Sequence, residues 1–67
     1  MKATFRLDDS SEPGFAQVEL LEDKGIGPTG VRLWKIKVLE VIKPSFRKVR
    51  IGQVLIAAES FLKQGEQ

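Results

Sequence analysis

The sequence predicts an all-β, mainly antiparallel fold: a small curved sheet or barrel with a short C-terminal helical turn. Three observations lead there. Apolar and polar residues alternate in several short runs, the period of a strand lying half-buried on a core. Glycine and proline clusters separate those runs. The longest apolar run is rich in β-branched residues, whose stiff χ1 suits a pleated surface better than a helix.

Residues 2–7 alternate cleanly, with Ala3, Phe5 and Leu7 on one face and Lys2, Thr4 and Arg6 on the other. Residues 8–14, DDSSEPG, collect turn-favouring types and read as a loop. Alternation resumes over 15–22, where Ala16, Val18 and Leu20 share a face and Gln17 and Glu19 point away. Phe15 and Leu21 fall on the polar face near the ends of this strand and are expected to tuck under neighbouring segments. Residues 23–30, DKGIGPTG, form the next connection.

Residues 31–42, VRLWKIKVLEVI, are the central strand, flanked by Gly30 and Pro44. Eight of these twelve residues are apolar and five of the eight are β-branched. Trp34, Val38, Val41 and Ile42 also fit a helical stripe, but the β-branched content favours a strand. One face carries Trp34, Ile36, Val38 and Ile42. The other runs from apolar through Lys35 and Lys37 to apolar again, as in a strand that bends across a small barrel.

Pro44 makes the start of 43–48 irregular, because it cannot donate to a ladder. A short strand over 48–51, a turn at Gly52 and a longer strand over 53–57 follow, with Val54, Ile56 and Ala58 as the apolar face of the latter. Residues 58–64 lack β-branched side chains and are expected to form one to two helical turns stopped by Gly65. Short strands joined by Gly/Pro turns, with one terminal helical segment, suggest an architecture of the OB or SH3-like kind. The expected core is Phe5, Leu7, Val18, Leu20, Trp34 and Ile36, with Val38, Val41, Ile51, Val54, Ile56 and Phe61.

With 67 residues the chain makes a single small β domain, 1–67, near the lower limit for folding alone. It has no cysteine and no histidine. That removes disulfides, the ordinary zinc ligands, and nucleophile pairs of the Ser-His or Cys-His type. No enzymatic activity, no cofactor and no metal are expected. No apolar run approaches the length of a membrane span and no secretory signal is visible, so a cytoplasmic protein without membrane association is expected.

The net charge of +2 hides a strong segregation. Residues 1–23 carry −4, residues 24–50 carry +7, and residues 51–67 carry −1. The basic middle third is the leading functional feature. Lys35 and Lys37, two apart, project from one face of a strand, and Arg47, Lys48 and Arg50 come from a segment able to pair beside it. Phe46 is the aromatic expected to be exposed and to stack on a base. These six residues are the candidate nucleic-acid-binding site, holding DNA or RNA through the phosphate backbone. The alternative is a small accessory or adaptor subunit that docks on a protein partner, or on a second copy as a homo-oligomer, through opposed charges or an unpaired strand edge.

Other motifs carry less. Gly25, Gly27 and Gly30 match G-x-G-x-x-G, yet Pro28 interrupts the pattern and a strand follows instead of a helix, so a hairpin loop is expected. Asp8, Asp9 and Glu12 lack the ligand spacing of a calcium loop and read as a solvated turn. Trp34 sits among apolar neighbours and reads as core.

Overall fold

The computed structural model describes residues 1–64 and holds five antiparallel strands in one sheet. These are β1 (Lys2–Arg6), β2 (Phe15–Ile26), β3 (Arg32–Lys43), β4 (Val54–Ala58) and β5 (Leu62–Gln64), in the spatial order β4-β3-β2-β1-β5. One 3-10 turn, Glu59–Phe61, links β4 to β5 and is the only helical element among the described residues. The first four strands form a meander, and the chain then crosses to the far edge to add β5 beside β1. No helix among the described residues is long and apolar enough to cross a membrane.

A flat sheet with strands of this length would run about 40 Å. The Cα extents are 28 × 24 × 24 Å, so the sheet is curled. The curl originates in the β2–β3 ladder, which four register shifts interrupt. Leu21 and Lys24 are the extra residues on β2, and Leu39 and Ile42 those on β3. Each sets two residues against one, bending its strand and increasing the local twist. The shifts cancel, because Phe15 opposite Lys43 and Ile26 opposite Arg32 end in the same register.

The bulge at Leu39 accounts for the mixed faces of the central run. Val18 opposes Val38 on one side of it and Ala16 opposes Val41 on the other, so Val41 takes the inward place expected for Ile42. Ile42 is left 55% exposed.

The buried core comprises Ala3, Phe5 and Leu7, then Ala16, Val18 and Leu20, with Ile36, Val38 and Ala57. Cross-strand rows set it in register: Val18 lies between Ala3 and Val38, and Ala16 between Phe5 and Val41. Trp34, Val49, Leu55, Phe61 and Leu62 pack around it as partly buried residues.

Five expectations are corrected. β2 continues to Ile26 because the hairpin loop is tight: Gly30 N–H donates to Gly27 O at 3.0 Å, Gly27 N–H donates to Val31 O at 2.8 Å, and Gly30 takes φ +85°. The glycine motif is thus a hairpin turn with Pro28 at its second position. Residues 48–51 form no strand. Gly52 N–H donates to Val38 O at 2.7 Å and Val38 N–H to Gln53 O at 2.9 Å, so pairing with β3 begins only at the turn.

That register also reverses the faces of β4. Val54 opposes Lys37 and Ile56 opposes Lys35, which puts both on the outer face, 48% and 50% exposed, while Ala57 is buried opposite Trp34. Ile51, expected in the core, is 71% exposed in the turn. Finally, residues 62–64 are strand instead of helix: Leu62 and Lys63 pair with Phe5 and Thr4, satisfying the free edge of β1. Gly65, the expected helix stop, lies outside the described residues.

Gly14 fixes how the two sides of the sheet meet. It is buried, and a Cβ there would lie 2.6 Å from Lys43 O and 2.7 Å from Ser45 Cβ. Only a hydrogen lets the exit of the first loop lie against the chain leaving β3. Gly14→Ala is expected to destabilise by about 1–3 kcal/mol through overpacking. Urea denaturation checks this, and an unchanged midpoint would show that the contact yields freely.

Candidate nucleic-acid interface

The β2–β3 hairpin brings the acidic opening third of the chain against the basic middle third. Glu19 opposes Lys37 and Glu22 opposes Lys35 across the ladder, and Lys2 of β1 flanks Glu19 on its other side. Opposite charges in such cross-strand positions attract modestly. At the hairpin tip the pairing becomes direct: Arg32 Nη1 donates to Asp23 Oδ2 at 2.6 Å, and Lys24 Nζ lies 3.7 Å from Glu22. The Gly25 N–H donates to Asp23 Oδ1 at 2.8 Å and, with Arg32, holds that carboxyl below its ordinary range. Much of the charge segregated along the chain therefore cancels in space.

Lys35 and Lys37 consequently stand in mixed-charge rows on the outer face, flanked by carboxylates in β2 and by Ile56 and Val54 in β4. The remaining candidates differ in their surroundings. Phe46, Arg47, Lys48 and Arg50 lie in the irregular segment between β3 and β4, together with Lys43 at the end of β3. Among the described residues none of these four cations forms an ion pair with a carboxylate. Phe46 is 79% exposed.

This segment is ordered by its own hydrogen bonds. Arg47 N–H donates to Ser45 Oγ at 3.0 Å, Arg50 N–H to Gln53 Oε1 at 2.9 Å, and Gln53 N–H to Arg50 O at 3.0 Å, with Gly52 at φ +88° completing the turn. Arg47 faces partly inward. Its guanidinium lies 5.5 Å from the Phe5 ring centroid, and Nη1 donates to Leu7 O at 3.5 Å. It therefore braces the open end of the core while remaining, like Lys48 and Arg50, an exposed residue.

Asp8 ties the first loop to this segment. The acidic cluster was expected to be a solvated turn, but Asp8 is buried. Its carboxylate accepts from Ser10 Oγ at 2.5 Å, Ser10 N–H at 2.9 Å and Gly14 N–H at 3.3 Å. These bonds satisfy a group that would otherwise be costly to bury. The Ser10 hydroxyl first, then the Ser10 amide, with Ser45 and Gly14 adding to them, hold its carboxyl well below the usual range against the opposing effect of burial. Asp9 and Glu12 stay exposed, and no group of acidic side chains among the described residues is arranged to hold a metal ion.

Trp34, expected in the core, is partly buried against it, and its Nε1 donates to Glu59 Oε2 at 3.4 Å. Lys43, one of the cations of the basic middle third, ends β3 and adjoins this segment. One feature was not anticipated at all: a pocket on the outer face where β1, β2, β5 and the 3-10 turn meet. Its walls come from segments far apart in sequence, so no local motif marks it.

No protein-family model, curated protein or solved structure matches the chain.

The depressed folded-state pKa of Asp8 fixes a sign. Its stabilising contribution is fully present above the unfolded carboxyl value near 3.8 and is lost as pH falls through the folded value. Urea midpoints measured from neutral pH downward should drop in the acid range, and Asp8→Asn should be less stable at pH 7 and show a flatter acid limb. An unaltered limb in Asp8→Asn would assign acid sensitivity to other carboxylates.

Proposed function

We propose that this protein is a non-enzymatic nucleic-acid-binding module whose contact surface is the segment between β3 and β4. One observation carries the reading: Lys43, Arg47, Lys48 and Arg50 lack carboxylate partners among the described residues and flank the exposed Phe46 in sequence. Cations on a short ordered segment follow a phosphate backbone, and an exposed ring stacks on an unpaired base, a combination that suits single strands. Lys35 and Lys37 contribute at longer range, reduced by Glu22 and Glu19 beside them. The meander β1–β4, the 3-10 turn and the return of β5 to β1 support an SH3-like reading of this curled sheet over the OB alternative.

Affinity for a short single-stranded oligonucleotide should fall about 20- to 50-fold between about 50 and 200 mM salt, as expected for three to four neutralised phosphates. Phe46→Ala should remove about 1–3 kcal/mol of stacking. Lys48→Glu and Arg50→Glu should weaken binding more than Lys35→Glu, all with unchanged circular dichroism. Fluorescence anisotropy reads each, and absence of binding at the lowest salt, for single strand and duplex alike, refutes the proposal.

A second reading, an adaptor that adds a protein partner's strand or a second copy, is favoured by β4. This edge strand is short, its outer edge is unpaired among the described residues, and Val54 and Ile56 are half-exposed upon it. Under self-association the sedimentation mass rises with concentration and Ile56→Lys returns it to the monomer. A constant monomer mass removes the homo-oligomer form of this reading.

A further inference from the structure

The pocket on the outer face has a volume of about 360 Å³, within the range of small-ligand sites at about 300–1,000 Å³. Pro13, Phe15, Phe61 and Leu62 supply apolar walls. Arg6 sits among them, opposite Phe15 across the β1–β2 ladder, with its guanidinium carbon 4.7 Å from the Phe61 ring centroid. Lys63, opposite Thr4 on β5, adds a second cation, and Thr4 and Ser60 add hydroxyls.

Arg6 is incompletely satisfied. Its Nη2 meets Asp9 Oδ1 at 3.3 Å, but that carboxylate is largely exposed, so the pair is screened by water. Its Nε is buried and has no hydrogen-bond partner among the described residues. A buried guanidinium nitrogen left without an acceptor is costly, and a carboxylate fits the guanidinium fork in a bidentate manner. Two cations, two hydroxyls and apolar walls thus describe a single ligand chemistry.

We propose that this pocket binds a small organic acid: a carboxylate carried on an aromatic or branched apolar body. The carboxylate accepts from Arg6 and Lys63, and from the hydroxyls of Thr4 and Ser60. The apolar body lies against Phe15, Phe61 and Pro13. None of these residues belongs to the segment between β3 and β4, so the inference stands independently of nucleic-acid binding.

The test uses the full chain, phenylacetate as probe and phenylacetamide as its uncharged twin, followed by amide and arginine Nε–H resonances. Saturable shifts confined to residues near Thr4, Arg6, Phe15 and Phe61 are expected, with the acid binding at least about tenfold more tightly than the amide, as for a charge-assisted pair. Arg6→Met should abolish that preference. Should Arg6→Met unfold, Lys63→Met, altering an exposed side chain, should reduce the preference by itself. Lys48→Glu should leave acid binding intact while impairing the oligonucleotide, which separates the two sites. Equal binding of acid and amide, shifts located elsewhere, or an undiminished preference in the folded variants would overturn the proposal.

Discussion

The whole structure hangs on the β2–β3 hairpin, and on two properties of its ladder that act together. Its strands carry opposite charge, with Glu19, Glu22 and Asp23 on one and Arg32, Lys35 and Lys37 on the other, so attraction favours the observed alignment over a slipped one. Its bulges then bend both strands, which allows one hairpin to supply the middle of a core closed by β1 on one flank and β4 on the other. A straight hairpin of the same composition would present a flat apolar face too broad for two short strands to cover.

The second constraint is the junction between the first loop and the chain leaving β3. Asp8 gathers the amide and hydroxyl of Ser10 and the amide of Gly14, Gly14 lies against Lys43 and Ser45, and Arg47 reaches back over Phe5 to Leu7 O. Each contact satisfies a polar group or fills space at the end of the core. Jointly they give a segment without regular secondary structure a fixed course, and that course leaves Phe46, Lys48 and Arg50 in solvent. Fold stability and the candidate interface are thus served by the same few residues, with Arg47 belonging to both.

Much of this was legible in the sequence. Alternation located β1 and the first half of β2, β-branching located β3, and turn chemistry located the loops. What alternation could not disclose was phase after a bulge. Ile42 and Val41 exchange places because Leu39 has no partner opposite it, and no local property of Leu39 announces that. In β4 the choice between Val54/Ile56 and Leu55/Ala57 went to the less hydrophobic pair, because backbone bonds from Val38 to Gly52 and Gln53 set the register before side chains are compared. Residues 62–64 show the same priority: an unpaired edge on β1 recruits a segment of weak strand propensity. Of the candidate site, the exposed Phe46 and its basic neighbours were readable from KPSFRKVR. The partial cancellation of Lys35 and Lys37 needed the pairing partner, and the pocket around Arg6 needed four segments brought together.

Leu21, Lys24, Leu39 and Ile42 have no residue facing them across the hairpin. Curvature is therefore stored as surplus chain length. Loss of a codon at one of these positions would straighten the strand locally and leave alternation intact on both sides, whereas loss at a paired position would invert inside and outside from there to the strand end. Over descent, this hairpin has four places where its length can change without exchanging core for surface, and what it surrenders at each is bend.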